Sequence, residues 1–302
     1  MKPIQGRTDI LDGNGQDDPV EEVLTLARII SPQVDVALIA RINNDTTDIF
    51  RGKFPGFRVS NPTYHNLRHT RLVALAVVRL FHGLWCDGRF FAADTLIQGF
   101  LSACFHDTGM LLTDEDSART GARYTRGHEE RSITFVRRYI QTSGLPQSYA
   151  DNCAAIIRCT ELNKGVDRLR PYPEEIRLAG HIVGSADILA QMADRYYLER
   201  LPLLFHEQKA GYSGSKYHTP VELMQSTADF YRTTISHRLN VLFSDVSPSM
   251  RSHFREHWQI DEDLYTKAIL KNIGYLESVI TRCKAEQECV KRCLRRVPPA
   301  YP

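Results

Sequence analysis

Residues 64–86 read YHNLRHTRLVALAVVRLFHGLWC, and the fold turns on how this stretch is taken. Residues 64–85 keep the helical period and are too long for a strand. The apolar run Val73–Trp85 is broken by Arg79 and His82, and the next one, Phe90–Phe105, by Asp94. Both fall short of the roughly 20 apolar residues that a membrane span needs. The reading is therefore a water-surrounded bundle helix, with no membrane partner.

The same 3.6-residue period extends outward in both directions, broken by short Gly, Pro, Asn and Asp segments. It predicts helices near 34–43, 90–107, 128–142, 146–161, 174–207, 220–243 and 261–294. A further helix begins at Asp18-Pro19, with Asp18 as N-cap, Pro19 in the first turn and Glu21 and Glu22 at the positive end of the dipole. Alternating β-branched runs are nearly absent, and no repeat or linker divides the chain. The expectation is one all-α domain over 18–296, with a flexible leader at 1–17 and a short tail at 297–302.

The 302 residues carry 38 Lys and Arg against 36 Asp and Glu, a net charge of +2. That balance gives no general attraction for a nucleic-acid polymer or an anionic membrane, so an anionic substrate needs a local site. The N-terminus lacks the basic and apolar regions of a secretory signal, which makes the cytoplasm the expected compartment. Seven cysteines are too few and too odd in number for a disulfide scaffold, and all are read as reduced. Three of them, Cys283, Cys289 and Cys293, lie in the charged tail CKAEQECVKRC, where no partner set completes a zinc pattern. The tail helix has an apolar side, Leu264, Ala268, Ile269, Ile273, Leu276 and Ile280, for packing on its own domain or for a homodimer.

Chemistry concentrates in a few side chains. His65 and His69 stand four apart, which puts them on one helical face. His106-Asp107 closes the apolar helix ending FLSACF, His128-Glu129 opens another, and Asp187 sits among small apolar residues in GSADILAQM. An ionised Asp in such surroundings is costly unless a cation or hydrogen bonds compensate it. Imidazole and carboxylate together suit Zn, Mn, Fe or Ni, and with more carboxylate and water they admit Mg. The ordered set H…HD…H…D on helices of one domain thus predicts a centre of two divalent metal ions.

These segments resemble the HD-domain metal-dependent phosphohydrolases, and within them the class I cyclic-nucleotide phosphodiesterases. Tyr64-His65-Asn66-x-x-His69 is similar to their YHNxxH and Ala103–Asp107 to their HD-bearing helix. Ile157–Lys164 is similar to LATDMSK and Ser185–Leu189 to ADLS. The family pattern has a further His four residues after the HD His, where this chain has Met110. The resemblance implies an HD-like helical bundle in which His69, His106, Asp107 and Asp187 bind a first metal, Asp107 bridging to a second. His128, Glu129 and Thr160 are its candidates for the second metal's surroundings, and His65 for the general acid. Gln225 and Phe230 fall near the family's purine-holding Gln and Phe. A carboxylate should support His65, with Glu129, Glu130 and Glu161 as candidates; Arg68 and Arg131 are among the arginines available to a phosphate.

The implied activity is hydrolysis of a phosphodiester such as a 3′,5′-cyclic nucleotide, through a metal-activated hydroxide. Two alternatives stay open: a broader nucleotide phosphohydrolase acting on monophosphates, triphosphates or an alarmone, and a non-catalytic metal-bound sensor domain.

Overall fold

In a computed structural model, the described residues are 10–12, 19–59, 64–118, 120–162, 169–211, 216–243 and 246–297. They form twelve α-helices and no strand; the lone β-bridge joins Phe57 to Thr113. The all-α class expected from the sequence is what the chain adopts.

The stretch quoted above becomes the axle of the molecule. Helix α3 (Leu67–Cys86) is buried on nearly every side, with only Arg71, Trp85 and Cys86 reaching partial exposure. Four helices close around it: α1 (Val20–Ile30), α4 (Ala93–Phe105), α7 (Glu174–Ala193) and α10 (Ser249–Trp258). A helix buried on nearly every side needs such a central place, with its charged residues paired inside. A second layer holds α2 (Val36–Phe50) against α4, and α5 (His128–Thr142) and α6 (Ser148–Ile157) against each other. Helices α8 (Tyr197–Gly211), α9 (Pro220–Phe230) and α11 (Leu264–Arg282) follow, with α11 on α7 and α9. The short α12 (Gln287–Cys293) ends the order, and one connected apolar core runs from Ile10 to Val290.

Several boundaries differ from the expectation. Helix α1 starts at Val20 with Pro19 in the N-cap position, and Asp18 lies outside the described residues. The predicted leader is part of the core at its middle. Ile10 and Leu11 are buried, the Ile10 carbonyl accepts from Arg79 at 2.7 Å, and Asp12 pairs with Arg68 at 2.8 Å. The predicted helix 174–207 is two, because the chain turns at Asp194, whose carboxylate takes Arg68 at 3.0 Å and Arg200 at 3.1 Å. These three buried charges lock α3 to the α7–α8 corner. Helix α10 has no counterpart in the prediction; its run SMRSHFREHW hides one buried face, Met250, His253 and Phe254, among charges. Beyond α9 the helix widens to π geometry over Tyr231–Ile235 and Arg238–Leu242.

The tail departs most. The predicted helix 261–294 breaks after Arg282, because Lys284 and Ala285 take positive φ. Glu286 then caps α12 by accepting from the Glu288 and Cys289 amides. This turn brings Cys289 back onto Cys283, and the two are joined as a disulfide, against the reading that all seven were reduced. Cys293 remains a free thiol 3.8 Å from the Cys283 sulfur. Leu264, Ile269, Ile273 and Leu276 are buried within the molecule itself. No helix among the described residues is long and apolar enough to cross a membrane.

Candidate metal centre

Three helix ends and one helix middle converge on a single point. Asn66 caps α3 by accepting from the His69 amide at 3.1 Å, so the helix starts at Leu67. His65 therefore precedes the helix rather than sharing its face with His69, as i,i+4 spacing suggested. The bend still puts its ring centre 5.8 Å from that of His69. His106 ends α4, Asp107 follows in the turn, His128 opens α5, and Asp187 lies in the middle of α7.

Gly109 makes the approach of α5 possible. A Cβ there would stand 2.0 Å from the His128 carbonyl, so only glycine lets the turn after Asp107 cross the start of α5. Its amide donates to Ser132 at 2.8 Å, and its carbonyl accepts from Arg131 at 2.9 Å. Arg131 also pairs with Asp116 at 2.9 Å, and Arg68 is held by Asp194 and Asp12; these arginines serve the scaffold.

The donor atoms crowd. His69 Nε2 lies 3.4 Å from Asp107 Oδ2 and 3.2 Å from Asp187 Oδ1, and His106 Nε2 lies 3.1 and 3.7 Å from the same two oxygens. On the far side of the carboxylate, His128 Nε2 is 3.2 Å from Asp107 Oδ1. Yet His69 Nε2, His106 Nε2 and Asp107 Oδ2 are buried without a hydrogen-bond partner. Buried polar atoms at that spacing and without hydrogen bonds are a costly arrangement for a protein alone. Ligands bonded to one ion at about 2.1 Å in octahedral array sit about 3.0 Å apart, and tetrahedral ones about 3.4 Å, which is the observed spacing. The residues fit a divalent metal. Nδ1 of His106 donates to the Ala103 carbonyl at 2.8 Å and Nδ1 of His128 to the Thr125 carbonyl at 2.9 Å, which turns both Nε2 lone pairs inward.

Electrostatics in the metal-free protein agree. Burial works against charge on His106, but the Asp107 and Asp187 carboxylates outweigh it and lift the imidazole to about 9. His128 is raised to about 9 by Asp107 and Glu129 against the same burial. Burial likewise disfavours the Asp107 carboxylate, yet the imidazoles around it, His106 foremost, hold it well below the usual range. Protonated imidazoles thus answer the Asp107 and Asp187 carboxylates, a role that a bound cation would take over.

The centre opens into a cavity of about 380 Å³. His65, Asp107, His128, Glu129, Thr160 and Asp187 are among its lining; His69 and His106 are buried, 2% and 1% exposed. The rest of the lining is largely apolar, with Ile188, Leu201, Leu204, Leu223 and Phe230, and carries Gln191, Gln208 and Tyr217 as polar points. Phe230 thus lies where a ring could stack, whereas Gln225 is exposed on α9 and absent from the cavity lining. The cavity's amides are Gln191 and Gln208, which no motif marked. Met110, standing where the related pattern has His, is buried, and His128 reaches Asp107 instead. Asn163 and Lys164 of the third matching segment lie outside the described residues.

The partner of His65 is also new. Its Nδ1 bonds to Glu207 Oε1, and Glu207 Oε2 accepts from the Tyr64 amide at 3.1 Å. Burial opposes the Glu207 charge, but His65 more than compensates, and the carboxyl is held below its ordinary range. Of the carboxylates suggested by sequence, Glu130 faces outward to Arg158 at 3.1 Å and Glu129 stands beside His128 at 3.6 Å. Glu161 is buried and outside the cavity lining. Glu207 is 143 residues from Tyr64 in sequence, and only a buried carboxylate in a helix, Phe205-His206-Glu207, hinted at it. Compared with known proteins, the chain matches no family profile, no curated protein and no solved structure.

Proposed function

We propose that this protein is a metal-dependent phosphohydrolase of the HD type, acting on a phosphodiester such as a 3′,5′-cyclic nucleotide. One observation carries the reading. Asp107 directs one oxygen to His69 and His106, which Asp187 also approaches, and the other to His128, beside a cavity whose further lining is largely apolar. A carboxylate with separate donor sets on its two oxygens suits a bridging ligand between two ions.

His69, His106, Asp107 and Asp187 would hold a first ion, and His128 with Glu129 and Thr160 would surround a second. Divalent ions there supply Lewis acidity to the attacking water and the phosphoryl oxygens. The chain's own residues do the rest. Glu207 holds the His65 ring through Nδ1, which leaves Nε2 available to the cavity that His65 lines. In protonated form His65 is the acid that gives its proton to the leaving oxygen, and Glu207 stabilises that charge next to the cationic centre. The apolar wall and Phe230 favour an aromatic base, with Gln191, Gln208 and Tyr217 available to its edge.

The test is turnover of 3′,5′-cyclic AMP and cyclic GMP by Mn²⁺-loaded protein beside a chelator-treated control, with the 5′-monophosphate measured by chromatography. Chelator-sensitive product that disappears in His65→Ala, at unchanged metal content, supports the reading. No product from cyclic nucleotides, but release from nucleoside mono- or triphosphates, moves the substrate to the broader class. A loaded protein inert toward both sets overturns the hydrolase reading in favour of a sensor domain.

A further inference from the structure

At the opposite end of α3 lies a second cluster that the hydrolase reading leaves unused. His82 and Cys86 are four apart on α3, and His253 and His257 are four apart on α10; both pairs face the seam between the helices. We propose that His82, Cys86, His253 and His257 form a structural site for a zinc-like divalent ion, pinning α10 to α3.

The geometry comes first. An imidazole bound through one nitrogen puts its ring centre about 3.2 Å from the ion, so two tetrahedral ligands have ring centres about 5.2 Å apart. Here the His82–His253, His253–His257 and His82–His257 centres are 5.1, 5.5 and 5.9 Å apart. The Cys86 sulfur lies 3.5 Å from His82 Nδ1, and His82 Nδ1 lies 3.2 Å from His253 Nδ1. Three imidazoles and one thiolate are a complete donor set for a four-coordinate ion with no open position, hence structural and not catalytic.

The seam is also closely packed and incompletely satisfied. Gly83 lets α10 approach so near that a Cβ there would be 1.9 Å from the Ser249 carbonyl. His253 is 0% exposed, and its Nε2 has no hydrogen-bond partner. The nearest carboxylate, Glu22 at 3.9 Å, is taken by both arms of Arg79, at 2.7 and 2.8 Å. His257 and Cys86 are half-buried, so they are free to turn inward and the ion has a way in. Burial and the neighbouring His257 hold His82 down to about 4, and burial with Arg79 keeps His253 far below its ordinary value. The rings are therefore neutral at neutral pH, and the Nδ1 hydrogen bond between His82 and His253 would give way to a cation. Burial raises the Cys86 thiol to about 11, so an ion must displace its proton. His69 and His82 are thirteen residues apart on one helix, about 20 Å along its axis, so the two centres are independent.

The experiment is a Co²⁺ titration of the full, chelator-stripped chain, reading thiolate-to-cobalt absorption, with bound Zn²⁺ counted by elemental analysis after dialysis. Both tryptophans of the chain, Trp85 and Trp258, border the cluster, so their emission should be quenched in step. Parent and Asp107→Asn are expected to show the thiolate band. Cys86→Ser should lose it together with about one equivalent of zinc, and His257→Ala should weaken binding at least tenfold. Both changes are on half-buried side chains, and thermal melting without metal, equal to the parent's, checks that they fold. The proposal is overturned if both variants bind as the parent does, or if Cys293→Ser abolishes the band, which would place the ion on the C-terminal sulfurs.

Discussion

Glu207 and His65 come from segments that never meet in sequence, yet Glu207 holds the His65 ring with one oxygen and the adjoining Tyr64 amide with the other, at 3.1 Å. The histidine proposed as acid is thereby fixed in both tautomer and direction. Replacing Glu207 with Gln keeps the shape and removes the charge. We expect a loss of roughly 10–100-fold in kcat, the usual effect of removing such a partner, with KM and bound metal unchanged. His65→Ala should cost roughly 10²–10⁴-fold. A Glu207→Gln enzyme with normal kcat would remove Glu207 from the reaction.

The metal-free protein should weaken in alkali. His106 and His128 are raised to about 9 in the fold against about 6.5 when unfolded. A raised imidazole adds stability that is complete below the unfolded value and is lost as pH climbs through the folded one. Melting temperature in chelator should therefore fall between about pH 6.5 and 9. Bound divalent metal demands neutral imidazoles, so with metal present the melting temperature should no longer fall over that window. Parallel scans with and without metal decide this.

Asp194 has its side chain 1% exposed between Arg68 and Arg200, themselves 9% and 7% exposed. Asp194→Asn strands two buried guanidinium groups, although Asp12 still reaches Arg68 at 2.8 Å. The expected cost is about 3–5 kcal/mol, the range for breaking a buried pair. Denaturant unfolding measures it; a loss under 1 kcal/mol would mean the arginines find water.

On α9 the two sequence candidates for substrate contact separate cleanly. Phe230 lines the cavity and Gln225 faces solvent. Phe230→Ala should raise KM by roughly tenfold, in line with the loss of about one aromatic stacking contact, and leave kcat nearly unchanged. Gln225→Ala should alter neither. Steady-state kinetics on both variants, beside Gln191→Ala and Gln208→Ala, would locate the base-facing wall.

The sequence disclosed what periodicity and ligand chemistry encode. Helix α3, the HD turn after α4, His128 at the start of α5 and Asp187 within α7 were all legible, because each lies on one regular element. Contacts between distant segments were not. Glu207 reads as one more helical carboxylate until α8 folds over Tyr64. Helix α10 does not stand out in the sequence, since only one narrow face of it is buried, among charges. The break after Arg282 depends on two non-glycine residues in positive φ, which no pattern announces.

Helix α8 supplies Tyr197, Leu201, Leu204 and Gln208 to the cavity wall and Glu207 to the back of His65. The metal-facing residues come from other parts of the chain. Under the proposed mechanism, changes that reshape the wall for a different substrate fall within a few residues of the group that steers proton delivery. Selectivity and turnover would therefore drift together under mutation, while metal affinity could be tuned apart from both. A redesign for a new base would then begin at Phe230 on α9, which widens the cavity without touching α8.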